Sequence, residues 1–314
     1  MPSTLPSPIA FQDWLRTRPG FERARVTAVA HADGGASNLT CRVDLRNAPY
    51  AAVCLRVQRE RGIFEPYDVI REGRVISALG STSVPAPAFL GAESDAGVLG
   101  APFIVLEWID APHMGIAGAE ADFGAFTATV TNIHAVDWRT AGLAFLAATA
   151  SIREAIQSEL EIISARMPAF GCAKDPLLRR AFDILHRAAP SDGSMSLCQG
   201  DINVFNYLFR AKKCVGVVDW EQARISDRRC DVGHLLALVH LKGAPFGPVR
   251  EMGFLNAYEA ISRVHLAGME YFRARWLFEL AVIYHGWMSF NDSEPWYSRV
   301  HVEALLTLAL AEIE

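Results

Sequence analysis

The chain has 314 residues, 51% of them hydrophobic and 21% charged, with a formal net charge of −5. That length supports a large core, in two domains or one domain with two lobes, and the composition excludes bulk disorder. No Lys/Arg-rich run occurs, which argues against nucleic acid as a partner. The six cysteines form no C-x-x-C pair and lie near no clustered His at zinc spacing. They read as free thiols of a reducing compartment. The first residues, MPSTLPSPIAFQDW, lack the basic and apolar regions of a signal peptide, and no apolar run reaches the ~18 residues of a membrane span. The expected location is the cytoplasm, with no membrane partner.

In chain order, residues 1–8 are Pro/Ser-rich and expected to be loose, and 11–18 read as a short helix stopped by Pro19-Gly20. Residues 24–57 carry three β-rich runs, RVTAVAHA, LTCRVDL and YAAVCLRV. GGASN (Gly34 to Asn38) separates the first two, and a turn at Asn47-Ala48-Pro49 precedes the third. Residues 67–79 have helical spacing, with Val69, Ile70, Val75, Ile76 and Leu79 on one side. VPAPAFLG leads into another strand, and PFIVLEWID (102–110) reads as a strongly apolar strand with a polar end. The order β-β-β-α-β-β predicts an α+β first lobe over 1–110. The Gly/Ala-rich stretch 111–118 opens a second, mostly helical lobe over 111–314. Its helices are expected at 123–136, 151–167, 176–188, 231–241, 249–265, 271–290 and 296–314.

Between those helices stands CQGDINVFNYLF (198–209), followed by VGVVDWE (215–221). Gly200 breaks any regular element there, and Asp201, Asn203 and Asn206 suit neither helix nor strand. A hairpin, with strands at 207–209 and 214–218, brings Asn206 and Asp219 together at one end, with Asp201 in the loop just before. Asx turns in a surface loop are the plain alternative. Converging hard oxygen donors are what Mg²⁺ takes, leaving other positions to water and phosphate. Phosphoryl transfer also needs a carboxylate near the incoming hydroxyl. D-x-x-x-x-N followed by D is the spacing of a kinase catalytic loop.

At these residues the sequence resembles the aminoglycoside phosphotransferase (APH)/choline kinase-like family, which shares the protein-kinase fold. The family's H-G-D-x-x-x-x-N stands here as Gln199 to Asn206, its I-D-W-E as Val218 to Glu221, and its D-x-x-x-D element as Asp227 to Asp231. Gly34-Gly35-Ala36-Ser37-Asn38 matches the nucleotide loop, whose small residues let backbone N–H groups approach phosphate. Arg56 stands where the third strand commonly has Lys, and Glu72 occupies the matching helix position. APFIVLEWIDA resembles the hinge strand, and TNIHAVDW a helix end whose His134 reads as a packing residue rather than a ligand. Gln199 replaces the usual His, and its donor and acceptor could brace the loop equally.

The resemblance implies a bilobal protein-kinase-like fold and a Mg²⁺-dependent transfer of the γ-phosphate of ATP or GTP to a hydroxyl of a small-molecule acceptor. It makes Asp201 the catalytic base. Asn206 and Asp219 become the metal ligands, with Glu221 assisting them. The loop with Ser37 and Asn38 covers the nucleotide, Arg56 grips its phosphates and Glu72 braces Arg56, while the backbone of Glu107, Trp108 and Ile109 falls to the adenine edge. The aromatic stretch 278–297 has few acids, which favours an apolar alcohol or a sugar over a polycationic aminoglycoside. A catalytically silent, nucleotide-binding sensor stays open because of Arg56 and Gln199. A protein kinase is disfavoured because no D-F-G or A-P-E occurs.

Overall fold

The computed structural model describes residues 5–32, 37–241 and 251–314, so Gly34, Gly35 and Ala36, residues 1–4 and the expected helix start at 249–250 lie outside the described residues. The chain divides into two compact units, Met1–Asp110 and Ala111–Glu314, in a bilobal α+β architecture.

The first unit opens with α1 (Pro8–Leu15), three residues earlier than the apolar periodicity suggests. Ser7 accepts a hydrogen bond from the Ala10 amide, and Pro8 sits in the first turn, where it loses no intrahelical bond. Strands β1 (Arg25–His31), β2 (Leu39–Arg46), β3 (Ala52–Val57), β4 (Phe89–Glu93) and β5 (Phe103–Glu107) form an antiparallel sheet in the order β1-β2-β3-β5-β4. Phe11 and Trp14 of α1 cover Val43, Leu55, Phe103 and Val105, with the Trp14 ring 4.8 Å edge-on from Phe103. Helix α2 (Val69–Leu79) begins where Asp68 accepts a hydrogen bond from the Arg71 amide. A short α3 (Ala96–Leu99), absent from the periodicity, links β4 to β5.

The second unit has α4 (Phe123–Ala135), α5 (Ile152–Arg166) and α6 (Pro176–Arg187), capped by Asp122, Ser151 and Asp175. Then come β6 (Met195–Cys198), β7 (Tyr207–Arg210), β8 (Lys213–Val217) and β9 (Arg224–Asp227). Helices α7 (Arg228–His240), α8 (Glu251–Ser262), α9 (Met269–Phe290) and α10 (Arg299–Ala311) complete it. The β7–β8 hairpin turns through Ala211 and Lys212, both at positive φ, the backbone of a two-residue hairpin turn with the twist of its strands. The pairing of β6 with β9 was not expected from the sequence, and it clamps both ends of the 199–223 segment. Helix α7 packs on α9 so closely that a Cβ at Gly233 would lie 2.6 Å from the Phe272 carbonyl. Phe272 and Phe278 of α9 are fully buried. Among the described residues, no helix is long and apolar enough to cross a membrane.

Candidate active site

In the first unit, β3 places Arg56 opposite Thr40 of β2 and Ile104 of β5. The Arg56 Nε lies 3.1 Å from Glu72 Oε2 on α2, the side chains being 9% and 0% exposed. Two opposite charges removed from water together are tolerable, whereas either alone is costly. Ser37 and Asn38 are buried just before β2, and the Asn38 amide oxygen accepts a hydrogen bond from the Arg59 amide at 3.3 Å. Glu107 ends β5 tied to Ala88 in both directions: its N–H donates to the Ala88 carbonyl (2.9 Å), and its carboxylate accepts from the Ala88 amide (3.2 Å). Trp108 follows, with the Arg42 guanidinium 5.4 Å over its ring, and then half-buried Ile109.

In the second unit, the hairpin brings Asn206 and Asp219 to one end. Asn206 directly precedes β7, and its carbonyl accepts from the Val218 amide at 2.9 Å. Asp219 adopts φ +63°, a left-handed conformation that turns the chain sharply out of β8. Buried Trp220 anchors that turn by donating its indole N–H to the Val217 carbonyl (2.9 Å), and Glu221 follows half-buried.

Asp201 is held by amides. Asn203 Nδ2 donates to its Oδ1 and Asn206 Nδ2 to its Oδ2, each at 2.9 Å. With that nitrogen committed to Asp201, Asn206 keeps its amide oxygen as a hard donor. Burial first, and the Asp219 carboxylate second, push the Asp201 carboxyl up to about 6. A carboxylate strained by a second one, with an amide oxygen beside them, is an oxygen set that suits Mg²⁺.

The loop carrying Asp201 is braced from below. Gly200 sits at φ +88°, and a Cβ there would lie 2.2 Å from the Gln222 carbonyl, so only glycine fits. The Asp231 carboxylate accepts from the Gln199 amide (2.7 Å) and the Gly200 amide (3.0 Å). Asp231 thus braces the loop, and Asp227 caps α7, its side chain accepting from the Arg229 amide. Burial works against charge on Asp231, but hydrogen bonding from His134 and Gly200 outweighs it and holds the carboxyl below its usual value. His134 spans from Asp231 (3.2 Å) to the Tyr258 hydroxyl (2.8 Å). Gln199 donates to the Val218 carbonyl (2.9 Å) and accepts from the Tyr207 hydroxyl (2.8 Å), tying the loop to the hairpin from both of its polar atoms.

His134, Cys198 and Asp231 bring ligand atoms within 4.8 Å of one another. Each of those atoms already has a hydrogen-bond partner, Cys198 Sγ on the Asp227 carbonyl included, and burial pushes that thiol well above its usual value. The trio is a brace and not a hard-oxygen site. Sequence reasoning missed His234, whose Nδ1 lies 3.7 Å from Asp201 Oδ1. Its position three residues beyond Asp231, hence on the same helix face, was the available signal.

A β-rich unit with a buried Arg–Glu pair and a helical unit with an Asp–Asn–Asp loop and hairpin define the protein-kinase-like class of phosphotransferases. The chain belongs to the phosphotransferase enzyme family (APH), whose model matches residues 28–270. A Ralstonia eutropha protein provisionally assigned to the aminoglycoside phosphotransferases superposes with a TM-score of 0.75 at 20% identity, covering 98% of this chain and 99% of that one. Choline kinase from Cryptosporidium parvum superposes with a TM-score of 0.65 at 12% identity, covering 98% and 95%. At such identities the likeness speaks for the fold alone. Among curated proteins, acyl-CoA dehydrogenase family member 10 of mouse is 23% identical over 237 residues, 72% of this chain and 22% of that protein. The chain spans between 22% and 32% of the length of the curated relatives it matches.

Proposed function

We propose that the protein transfers the γ-phosphate of ATP or GTP to a hydroxyl of a small acceptor, with Asp201 as general base. The observation that carries this reading is the Asp201 carboxylate, fixed by two amide donors and raised towards 6 next to Asp219. It is oriented for proton transfer and poised near working pH. Asn206 and Asp219 would hold Mg²⁺, with Glu221 behind them, and the ion would neutralise charge on the transferring phosphoryl group. Arg56, oriented by Glu72, would grip the phosphates with its planar fork. Ser37 and Asn38 belong to the loop over the nucleotide, and the backbone of Glu107, Trp108 and Ile109 faces the base.

For the acceptor, we infer a hydroxyl carried on an acyl thioester. The support is twofold. The curated relatives are named as acyl-CoA dehydrogenase family members, and this chain matches about a quarter of their length. In addition, Glu279 is spent on Arg275 (3.2 Å) and Glu294 on the Tyr284 hydroxyl (2.5 Å), which leaves little carboxylate for a polycation in that stretch. Of the aromatics there, Phe278, Tyr284 and Tyr297 are buried, whereas Phe290 and Trp296 are exposed. A cytoplasmic setting, in which the six cysteines stay free thiols, is part of this proposal.

The test is Mg²⁺-dependent ADP or GDP release against a panel of hexanoyl-CoA carrying its hydroxyl at successive carbons, choline and kanamycin. Acceptor-stimulated release that vanishes in Asp201→Ala and Asp219→Ala is the expected result. Nucleotide binding without release on any of the panel would favour the silent sensor.

A further inference from the structure

Helix α7 sends two side chains from one face towards the catalytic loop. Asp231 is consumed by the Gln199 and Gly200 amides. His234, one turn further, is 5% exposed, and its Nδ1 has no hydrogen-bond partner among the described residues. That atom lies 3.7 Å from Asp201 Oδ1, too far for a hydrogen bond and near enough for one oxygen to touch both. The imidazole is stacked on the Trp276 indole, with centroids 3.9 Å apart and planes 17° apart. Trp276 is itself pinned by its indole N–H on the Cys230 carbonyl. The ring therefore keeps its nitrogen aimed at Asp201.

Packing alone does not ask for a nitrogen here. A phenyl ring would stack on Trp276 and leave no buried polar atom unmatched, an omission that costs about 1–3 kcal/mol. The surrounding cations have carboxylate counter-charges of their own: Glu159 pairs with Arg224 (3.1 Å) and Arg275 (2.7 Å), and Glu279 also pairs with Arg275. Burial pushes the His234 ring down to about 3, so it stands neutral beside the aspartate and does not close onto it as an ion pair.

We propose that His234 is a catalytic residue that hydrogen-bonds the acceptor hydroxyl through Nδ1–H and aims it, with Asp201, at the phosphoryl group. The proposal rests on the phosphotransfer reading above. The hydroxyl donates its proton to Asp201 and accepts from His234, which leaves its remaining lone pair for phosphorus. The acceptor O–P bond forms as the bond from the γ-phosphorus to the bridging oxygen of the nucleotide breaks. The proton moves to Asp201, the nucleoside diphosphate leaves, and His234 exchanges no proton. Fixing one lone pair in this way is orientational catalysis.

Two substitutions separate this role from a structural one. His234→Phe keeps the stack and removes the donor. His234→Asn loses the stack but places an amide N–H near the position of Nδ1. Each is measured with MgATP and whichever hydroxyl-bearing member of the hexanoyl-CoA, choline and kanamycin panel the wild type uses, alongside nucleotide affinity and Tm. The expected result is a fall of about 10–100-fold in kcat for His234→Phe, with nucleotide affinity unchanged and Tm equal or higher, and partial rescue in His234→Asn. Retention of kcat within about twofold in His234→Phe, or lower activity in His234→Asn than in His234→Phe, would overturn the role of His234 and leave the phosphotransfer reading standing. No transfer by the wild type to any of the panel would overturn both.

Discussion

In the first unit the buried cation Arg56 meets its counter-charge Glu72 at 3.1 Å. In the second, Asp201 has another carboxylate, Asp219, as a charged neighbour, and amide N–H groups as its hydrogen-bond partners. The first arrangement sets opposite charges together, and either one alone would be a liability. The second is open. Burial of the Asp201 charge and its place beside Asp219 both cost free energy that a bound cation and a proton-donating acceptor can relieve, and the loop is held in place by the Asp231 and Gln199 braces. A fold that buries a carboxylate beside another spends stability on it, as functional sites commonly do.

Removing the open site's central charge should have the largest effect. In Asp201→Ala, turnover should fall about a thousandfold or more while nucleotide binding persists, as read by steady-state kinetics and calorimetry. Substantial residual turnover would remove Asp201 from the role of base. Breaking the Arg56–Glu72 pair comes next. Glu72→Ala strands Arg56 in a buried site and should cost about 3–5 kcal/mol in urea unfolding; a loss below about 1 kcal/mol would show that the pair is not what holds α2 to the sheet.

The brace is a smaller lever. Gln199→Leu leaves the Tyr207 hydroxyl and the Val218 carbonyl unmatched and should cost about 1–3 kcal/mol, with a loss of kcat that Gln199→His partly restores. If leucine is tolerated in both stability and rate, the two hydrogen bonds do not position the loop. The smallest effect, and the most telling for the comparison, is a gain. Asp201→Asn removes the cost of burying that charge and the repulsion from Asp219, but gives up one of the two amide hydrogen bonds because its own NH2 then faces a donor, so the net gain in stability at neutral pH should be no more than about 1 kcal/mol. The sign follows from linkage: the folded carboxyl titrates near 6, above its ordinary value of 3.8, so the folded wild type binds the proton more tightly than the unfolded chain. Wild-type stability therefore rises as pH falls through that window. The advantage of the Asp201→Asn variant over the wild type in thermal melts with chelator should be greatest near pH 7.5 and shrink by pH 5. A difference that does not change with pH would mean that neither burial nor Asp219 disfavours the Asp201 charge.

Much of the architecture could be read from the chain because it depends on short-range rules. Period-2 and period-3.6 patterns placed the strands of the sheet and most helices to within a few residues, and the structure shows Asp68, Asp122, Ser151 and Asp175 capping four of those helices. A hairpin over 207–217 necessarily brings Asn206 and Asp219 to one end, so the core of the site was legible as well. The contacts that complete the site were not. Pairing of β6 with β9, the reach of Asp231 to the Gln199 and Gly200 amides, the bridge of His134 to Asp231 97 residues away, and the stacking of His234 on Trp276 all join distant segments. Local propensity determines that residues 228–240 form a helix. Which face of that helix turns to the catalytic loop was decided by its close packing on α9 at Gly233 and Phe272, because only the assembled core sets that rotation.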